Sequence, residues 1–504
     1  MERTESLLSR IRELQRAAAP LEPGPDERRA LREVVVRHAE RFLEELPAAR
    51  AYEANIDPAT ELADRPPAEE PAAIEDLLRL YRRAVEDTGL RASSAGHVAY
   101  IPGGGLYASA LGDYLAAVTD AYAGVRFAGP GAVEMENLLI RWMAGLAGYP
   151  GSAQGNLASG GSIANLIAIV TAREARGLRC ADIPRAVVYL TAQSHHSLEK
   201  ALRIAGLGEC VVRRVATDAR HRMDPVALQR AIEADRAAGL RPWMVLAAAG
   251  STDVGAIDPL EEIGKAAAAA GLWFHIDAAY GGFFLLCPEI RERMRGVELS
   301  DSLVMDPHKS LFLPYGLGAV LVKDGATLAR AHHYTAAYMQ DAAASSPAAD
   351  SPAELSPELS KHFRGPRLWL PLLHYGVSAF RACLEEKLHL TRYFHDRVRA
   401  LGFEVGPEPQ LTVSTYRWVP KRGDPDAFNE ALVRATHRDG RVFISSTRLE
   451  GRYFLRLAVL NFRTHLETIE LTLRVLAEKV AELERAQAVP SREASRLGDS
   501  RSDR

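Results

Sequence analysis

Between residues 186 and 322 the chain alternates short β-rich runs with helix signals, and this alternation constrains the fold more than any other feature. The runs are AVVYLTA from Ala186, CVVRRV from Cys210, WMVLAAAG from Trp243, LWFHIDAA from Leu272, SLVMD from Ser302 and GAVLVK from Gly318. Asp224-Pro225 opens a helix through Arg236, and Asp258-Pro259 opens another through Ala270. Proline at the first helical position loses nothing, because its missing N–H has no intrahelical partner there. Such alternation predicts an α/β domain built on a mostly parallel sheet.

The flanks read differently. Apolar residues recur at helical spacing from Glu2 to about Gln15 and from Pro25 to Leu46, and Pro, Ala, Glu and Asp dominate from Pro58 to Pro71. Residues 1–92 therefore read as a helical arm with linkers, and 93–385 as the large α/β domain. From 386 to 485 the runs VSTYRWV, RVFISST and YFLRLAVL and a final helix from Leu466 to about Arg485 predict a small α+β domain. The stretch AQAVPSREASRLGDSRSDR, 486–504, carries too few apolar residues to order itself and reads as a tail.

With 504 residues, 47% of them hydrophobic and 25% charged, the chain can bury large cores. The net charge of -3 argues against a nucleic-acid binder that relies on a basic surface. Cys180, Cys210, Cys287 and Cys383 are dispersed, without a CxxC pair or a metal-like cluster, which predicts reduced thiols. The opening ERTESLLSRIRELQR lacks the apolar core of a secretory signal, and no apolar run reaches spanning length. A cytoplasmic protein without membrane association is expected.

Several segments carry candidate chemistry. In DSLVMDPHKSLFLPYGLGAVLV, Lys309 follows a buried strand, at the carboxyl end where open α/β sheets bind ligands. In FHIDAAYGG, Asp277 ends an apolar strand, where a carboxylate needs a cation or a donor. A pyridinium nitrogen would serve, and so would an arginine or a loop amide. In GNLASGGSIANLIAIV, Gly161 and Ser162 begin a helix to about Ala175 whose first amides can hold a phosphate or simply cap. No lysine follows the glycines, so this is not a Walker A loop. His195 and His196 follow the strand AVVYLTA, either stacking on an aromatic cofactor or capping a surface helix. Ser251 and Thr252 follow WMVLAAAG as hydroxyl donors to a ligand, or as ordinary loop residues.

In this order the segments resemble the group II pyridoxal-dependent decarboxylases, whose members act on aromatic amino acids, glutamate and diaminobutyrate. The likeness runs from about Gly96 to Glu385 and, more weakly, through STRLEGRYFLRLAVLNFRT. It implies a type I fold of the aspartate aminotransferase kind, with a large mixed-sheet domain, a small C-terminal domain and an N-terminal helical arm. It also implies pyridoxal 5'-phosphate (PLP) as cofactor and a homodimer with active sites at the interface. By the resemblance Lys309 forms the Schiff base, Asp277 pairs with the ring nitrogen, Ala279 packs on one ring face and His195 stacks on the other. Gly161, Ser162, Thr252 and His308 then lie around the phosphate and ring substituents.

The reaction so implied is decarboxylation of an L-amino acid to its amine. The family also contains aldehyde-forming members, in which loss of a loop tyrosine diverts the reaction to oxygen. Here no tyrosine stands between Gln340 and Arg364, Tyr334 and Tyr338 lie upstream, and His195 is the expected proton donor instead. Asp306 stands where animal members carry Asn. The stretch GHVAYIPGGGLYASALGDY holds no Arg or Lys to grip a second carboxylate, which favours an aromatic or apolar substrate over glutamate. An aminotransferase on the same fold is the remaining alternative.

Overall fold

The computed structural model describes residues 2–54, 62–333 and 351–488. The tail expected from residue 486 is helical as far as Ala488, where the helix Leu466–Ala488 ends, and its remainder, together with Tyr334, Tyr338 and the loop up to residue 350, lies outside the described residues.

Seven strands form the main sheet: β1 (Gln154–Ala158), β2 (Ala186–Leu190), β3 (Val211–Arg214), β4 (Arg241–Ala248), β5 (Trp273–Asp277), β6 (Ser302–Met305) and β7 (Gly318–Val322). Their spatial order is β1-β7-β6-β5-β4-β2-β3. The pairs among β3, β2, β4, β5 and β6 are parallel, whereas β7 runs antiparallel to both β6 and β1. β1 therefore points the same way as the parallel set. Its sequence, QGNLA, gave no strand signal, because a polar run at a sheet edge lacks the apolar pattern that marks the others.

Alternate side chains of the central strands enter two separate cores. Val187 and Tyr189 of β2, with Val245 and Ala247 of β4, join one. Ala186, Val188 and Leu190, with Met244 and Leu246, join the other. Both faces of the sheet are thus covered by helices, which is why these strands read as continuous apolar runs. The helix Gly161–Ala175 buries Ala164, Ile167, Ala168 and Ala172 on the second face.

The helix Pro225–Ala237 starts as its sequence predicts, with the Asp224 carboxylate accepting from the amides of Val226 and Ala227. The next helix begins one residue later than expected, at Leu260. Its Asp258 does not cap; the buried carboxylate instead accepts from the amides of Met223 and Ala248, each at 2.7 Å. It ties the end of β4 to a neighbouring loop.

A four-stranded antiparallel sheet, Glu404–Val405, Val413–Arg417, Arg452–Ala458 and Ser445–Leu449 in that order, forms the C-terminal unit with helices on one core. The helix Val377–Ala400 joins the two bodies: Phe380, Leu384 and Leu388 pack in the large core, Leu390, Phe394 and Val398 in the small one. The expected boundary at 385/386 falls inside it. The arm carries the helices Glu2–Ala18 and Pro25–Glu45, neither with a buried residue. No helix among the described residues is long and apolar enough to cross a membrane.

A strap from Pro352 to Gly365 crosses β1. Asn156 Nδ2 donates to the Pro352 carbonyl at 2.8 Å, and Arg364 Nη1 to the Leu157 carbonyl at 3.1 Å. Beneath it Lys361 Nζ lies 2.6 Å from Glu136 Oε2, their side chains 0% and 2% exposed. The other Glu136 oxygen accepts from the amides of Arg364 and Gly365.

Candidate active site

The carboxyl ends of β1, β2, β4, β5 and β6 all point to one side of the sheet, and the segments that follow them enclose a cavity of about 280 Å³. Gly161, Ser162, His195, Thr252, Asp277, Ala279, His308 and Lys309 all line it. Ser251 lines it too, whereas His196, offered by the sequence beside His195, does not.

Lys309 stands on a single helical turn, Pro307–Ser310, directly after β6. Ser310 Oγ donates to the Tyr280 carbonyl at 2.5 Å and locks this turn onto the segment after β5. Lys309 Nζ lies 3.0 Å from Asp306 Oδ2. Burial acts to lower the pKa of this amine, but the carboxylates of Asp306 and Asp277 outweigh it and hold the amine above the ordinary lysine value. His308 donates from Nδ1 to the Leu317 carbonyl at 2.6 Å. Burial lowers its pKa, so the ring is neutral with Nε2 unprotonated.

Asp306 is 1% exposed, and its Oδ1 has no hydrogen-bond partner among the described residues. Two glycines make room for it. A Cβ on Gly161 would meet Asp306 Oδ2 at 2.8 Å, and one on Gly318 would meet Oδ1 at 2.6 Å. The sequence marked Asp306 only as a departure from the animal pattern. Its place as the partner of Lys309 follows from the i, i+3 spacing on the turn.

The first amides of the helix Gly161–Ala175 are open: intrahelical bonding starts with Ile163 and Ala164, which both donate to the Gly160 carbonyl. At the end of β5, Asp277 Oδ1 accepts from the Ala279 amide at 3.1 Å and Oδ2 from Asn165 Nδ2 at 3.1 Å. His195 caps the helix His196–Ile204, its Nδ1 accepting from the Ser197 amide at 3.2 Å. Burial lowers the His195 pKa. Asn165 also lines the cavity, and sequence reasoning missed it, because it sits in an apolar helix one turn past the glycines.

The sequence profile of the pyridoxal-dependent decarboxylase conserved domain matches residues 58–418. The chain belongs to this family. The decarboxylase is 32% identical over 414 residues to an aromatic-L-amino-acid decarboxylase of Bacillus atrophaeus, covering 81% of this chain and 86% of that one. It is 30% identical over 375 residues to a phenylacetaldehyde synthase of Arabidopsis thaliana, covering 72% and 76%. The crystal structure of Oryza sativa TDC with PLP and tryptamine superposes with a TM-score of 0.86 at 26% identity, over 92% of this chain and 99% of the other. The fold is accordingly type I, and the decarboxylase is a PLP-dependent lyase of amino-acid metabolism.

The residues present fit PLP. A primary amine, an anion-binding helix start cleared by glycine, and a carboxylate with lone pairs to spare face one cavity. These match an aldehyde, a phosphate and a pyridinium nitrogen in turn.

Proposed function

We propose that this decarboxylase converts an aromatic L-amino acid to the corresponding amine and CO2, with Lys309 as the attachment point of the cofactor. The convergence of Lys309, Asp277 and His195 on one cavity with the open helix start at Gly161 carries the reading. Bound PLP supplies the electron sink for the bond pair released with CO2. Asp277, already accepting two N–H groups, would keep lone pairs for the N–H of the ring nitrogen. Gly161 and Ser162 would hold the phosphate, with Thr252 and His308 beside it, and Ala279 and His195 would flank the ring. His195 accepts at Nδ1, so Nε2 bears the proton it delivers to the α-carbon.

An aromatic substrate is supported by the relative from Bacillus atrophaeus and by the cationless stretch 96–114. A homodimer is supported by the arm helix Glu2–Ala18, which leaves Leu7, Leu8, Ile11 and Leu14 exposed. The division into an arm (1–92), a large domain (93–385), a small domain (386–485) and a tail belongs to the same reading. Four free cysteines support a cytoplasmic location.

The second reading, an aldehyde synthase, is favoured by the tyrosine-free stretch 340–364 and by the Arabidopsis relative. A panel of L-amino acids decides between them when CO2, amine, aldehyde and peroxide are measured together. Amine equal to CO2 supports the first reading, whereas peroxide and aldehyde equal to CO2 without amine support the second. Lys309→Ala abolishes turnover and the visible absorbance of bound PLP; a variant that keeps both overturns the attachment point.

A further inference from the structure

Behind the cavity a line of buried polar groups runs across the sheet: Trp273, Ser302, His275, Asn165 and Ser197, all between 0% and 5% exposed. Trp273 Nε1 donates to Ser302 Oγ at 2.8 Å. Ser302 Oγ lies 2.8 Å from His275 Nδ1, and His275 Nε2 lies 2.9 Å from Asn165 Oδ1. Asn165 Nδ2 then forks, to Asp277 Oδ2 at 3.1 Å and to Ser197 Oγ at 3.3 Å. Ser197 Oγ lies 2.7 Å from His195 Nδ1.

The direction of every proton in this line is settled by its ends. An indole N–H can only donate, and an ionised carboxylate can only accept. Asn165 Nδ2 donates to Asp277, so Asn165 Oδ1 must accept from His275 Nε2; His275 Nδ1 is then an acceptor, and Ser302, while accepting from Trp273, gives its own proton to it. His275, completely buried and pushed down to about 4, is neutral, so its single proton sits on Nε2 and is donated to Asn165 Oδ1. That contact fixes which way the Asn165 amide faces, and both of its N–H groups are left to donate. One goes to Asp277 and the other to Ser197, which passes its hydroxyl proton to His195 Nδ1. His195 Nδ1 then accepts from both the hydroxyl and the amide of Ser197.

We infer that Asn165 is a positioning residue that serves two groups at once, donating to Asp277 and, through Ser197 Oγ, backing the Ser197 amide in holding His195 as its Nε2–H tautomer, with its own orientation dictated by His275, Ser302 and Trp273. The inference rests on the reading that the cofactor ring lies between His195 and Ala279 with its nitrogen at Asp277. The line gives the ring nitrogen's counterion and the proposed proton donor a common origin on the buried side of the sheet.

The test uses PLP-loaded enzyme. Asn165→Leu keeps the volume and removes both donors. It is expected to shift the pH midpoint of the bound cofactor's visible absorbance by one unit or more and to raise the PLP dissociation constant at least tenfold. Ser197→Ala removes the hydroxyl contact to His195 and leaves the backbone amide contact and the Asn165–Asp277 bond in place. It is expected to move the pH profile of kcat by at least half a unit while the absorbance midpoint stays within 0.2 units of the parent. Trp273→Phe frees the far end and is expected to move the absorbance midpoint in the same direction as Asn165→Leu, by less. If Asn165→Leu does not fold, Ser197→Ala and Trp273→Phe carry the test alone. Absorbance and kcat profiles of the folded variants that all coincide with the parent overturn the inference. A parent enzyme that gains no visible absorbance on addition of PLP overturns the reading of the site itself.

Discussion

The buried pair Lys361–Glu136 tests whether the strap holds the cofactor cradle. At an effective dielectric of about 20, two unit charges 2.6 Å apart attract by roughly 6 kcal/mol, much of it offset by desolvation. Removing one partner exposes the offset. In Glu136→Gln the side-chain oxygen still accepts from the amides of Arg364 and Gly365, but an NH2 group now faces the Lys361 ammonium. The expected loss is about 3–5 kcal/mol. In Glu136→Gln/Lys361→Met the new amide can donate instead to Asn156 Oδ1, which loses its 3.3 Å contact with Lys361. The double variant is expected to regain at least half of the loss. Urea unfolding of loaded enzyme, read by circular dichroism, supplies the cycle. Since the strap also grips Asn156 and Leu157 of β1, which leads straight into Ser159–Gly161, PLP affinity is expected to fall with stability in Glu136→Gln and to return in the double variant. A loss below about 1 kcal/mol in Glu136→Gln, or a double variant no more stable than it, refutes the reasoning.

Two further outcomes are expected. His97 and His275 are held near 4 by burial, so the unfolded chain takes up protons first and stability is lost as pH falls from about 6.5 towards 4. Asp258, pushed up to about 6, acts with the opposite sign, gaining stability as pH falls from about 6 towards 3.8. From pH 7 to pH 5 the three together cost on the order of 2–3 kcal/mol, and an unfolding midpoint that rises on this acidification contradicts the account. Gly161→Ala would drive a Cβ to 2.8 Å from Asp306 Oδ2 and 3.2 Å from the Ala279 Cβ; equilibrium dialysis is expected to show PLP binding at least tenfold weaker, and unchanged binding refutes the close approach.

Six strands of the main sheet were legible because burial on both faces gives a run of apolar residues, and the turns between them are punctuated. QGNLA was not, since its strand identity comes from pairing with β7 rather than from its own side chains. The site followed the same division. Lys309 and Asp277 are charges at the ends of apolar strands and stand out in the sequence. Asn165 and Ser302 are small polar residues at helical or strand positions, and only their three-dimensional partners, 112 and 27 residues away, distinguish them from ordinary ones. Asp258 misled for a related reason: the sequence Asp-Pro marks a cap, but a carboxylate offered two tertiary amides took those instead.

The contact between Lys309 and Asp306 also bears on how the newly made enzyme acquires its cofactor. An aldehyde is attacked by a neutral amine, and the fold keeps this one charged. The same carboxylate oxygen that keeps it charged, 3.0 Å away, is the nearest acceptor for the proton it must lose. Capture of an aldehyde would thus require Lys309 to give up a proton first, and the contact with Asp306 offers it a path within the site.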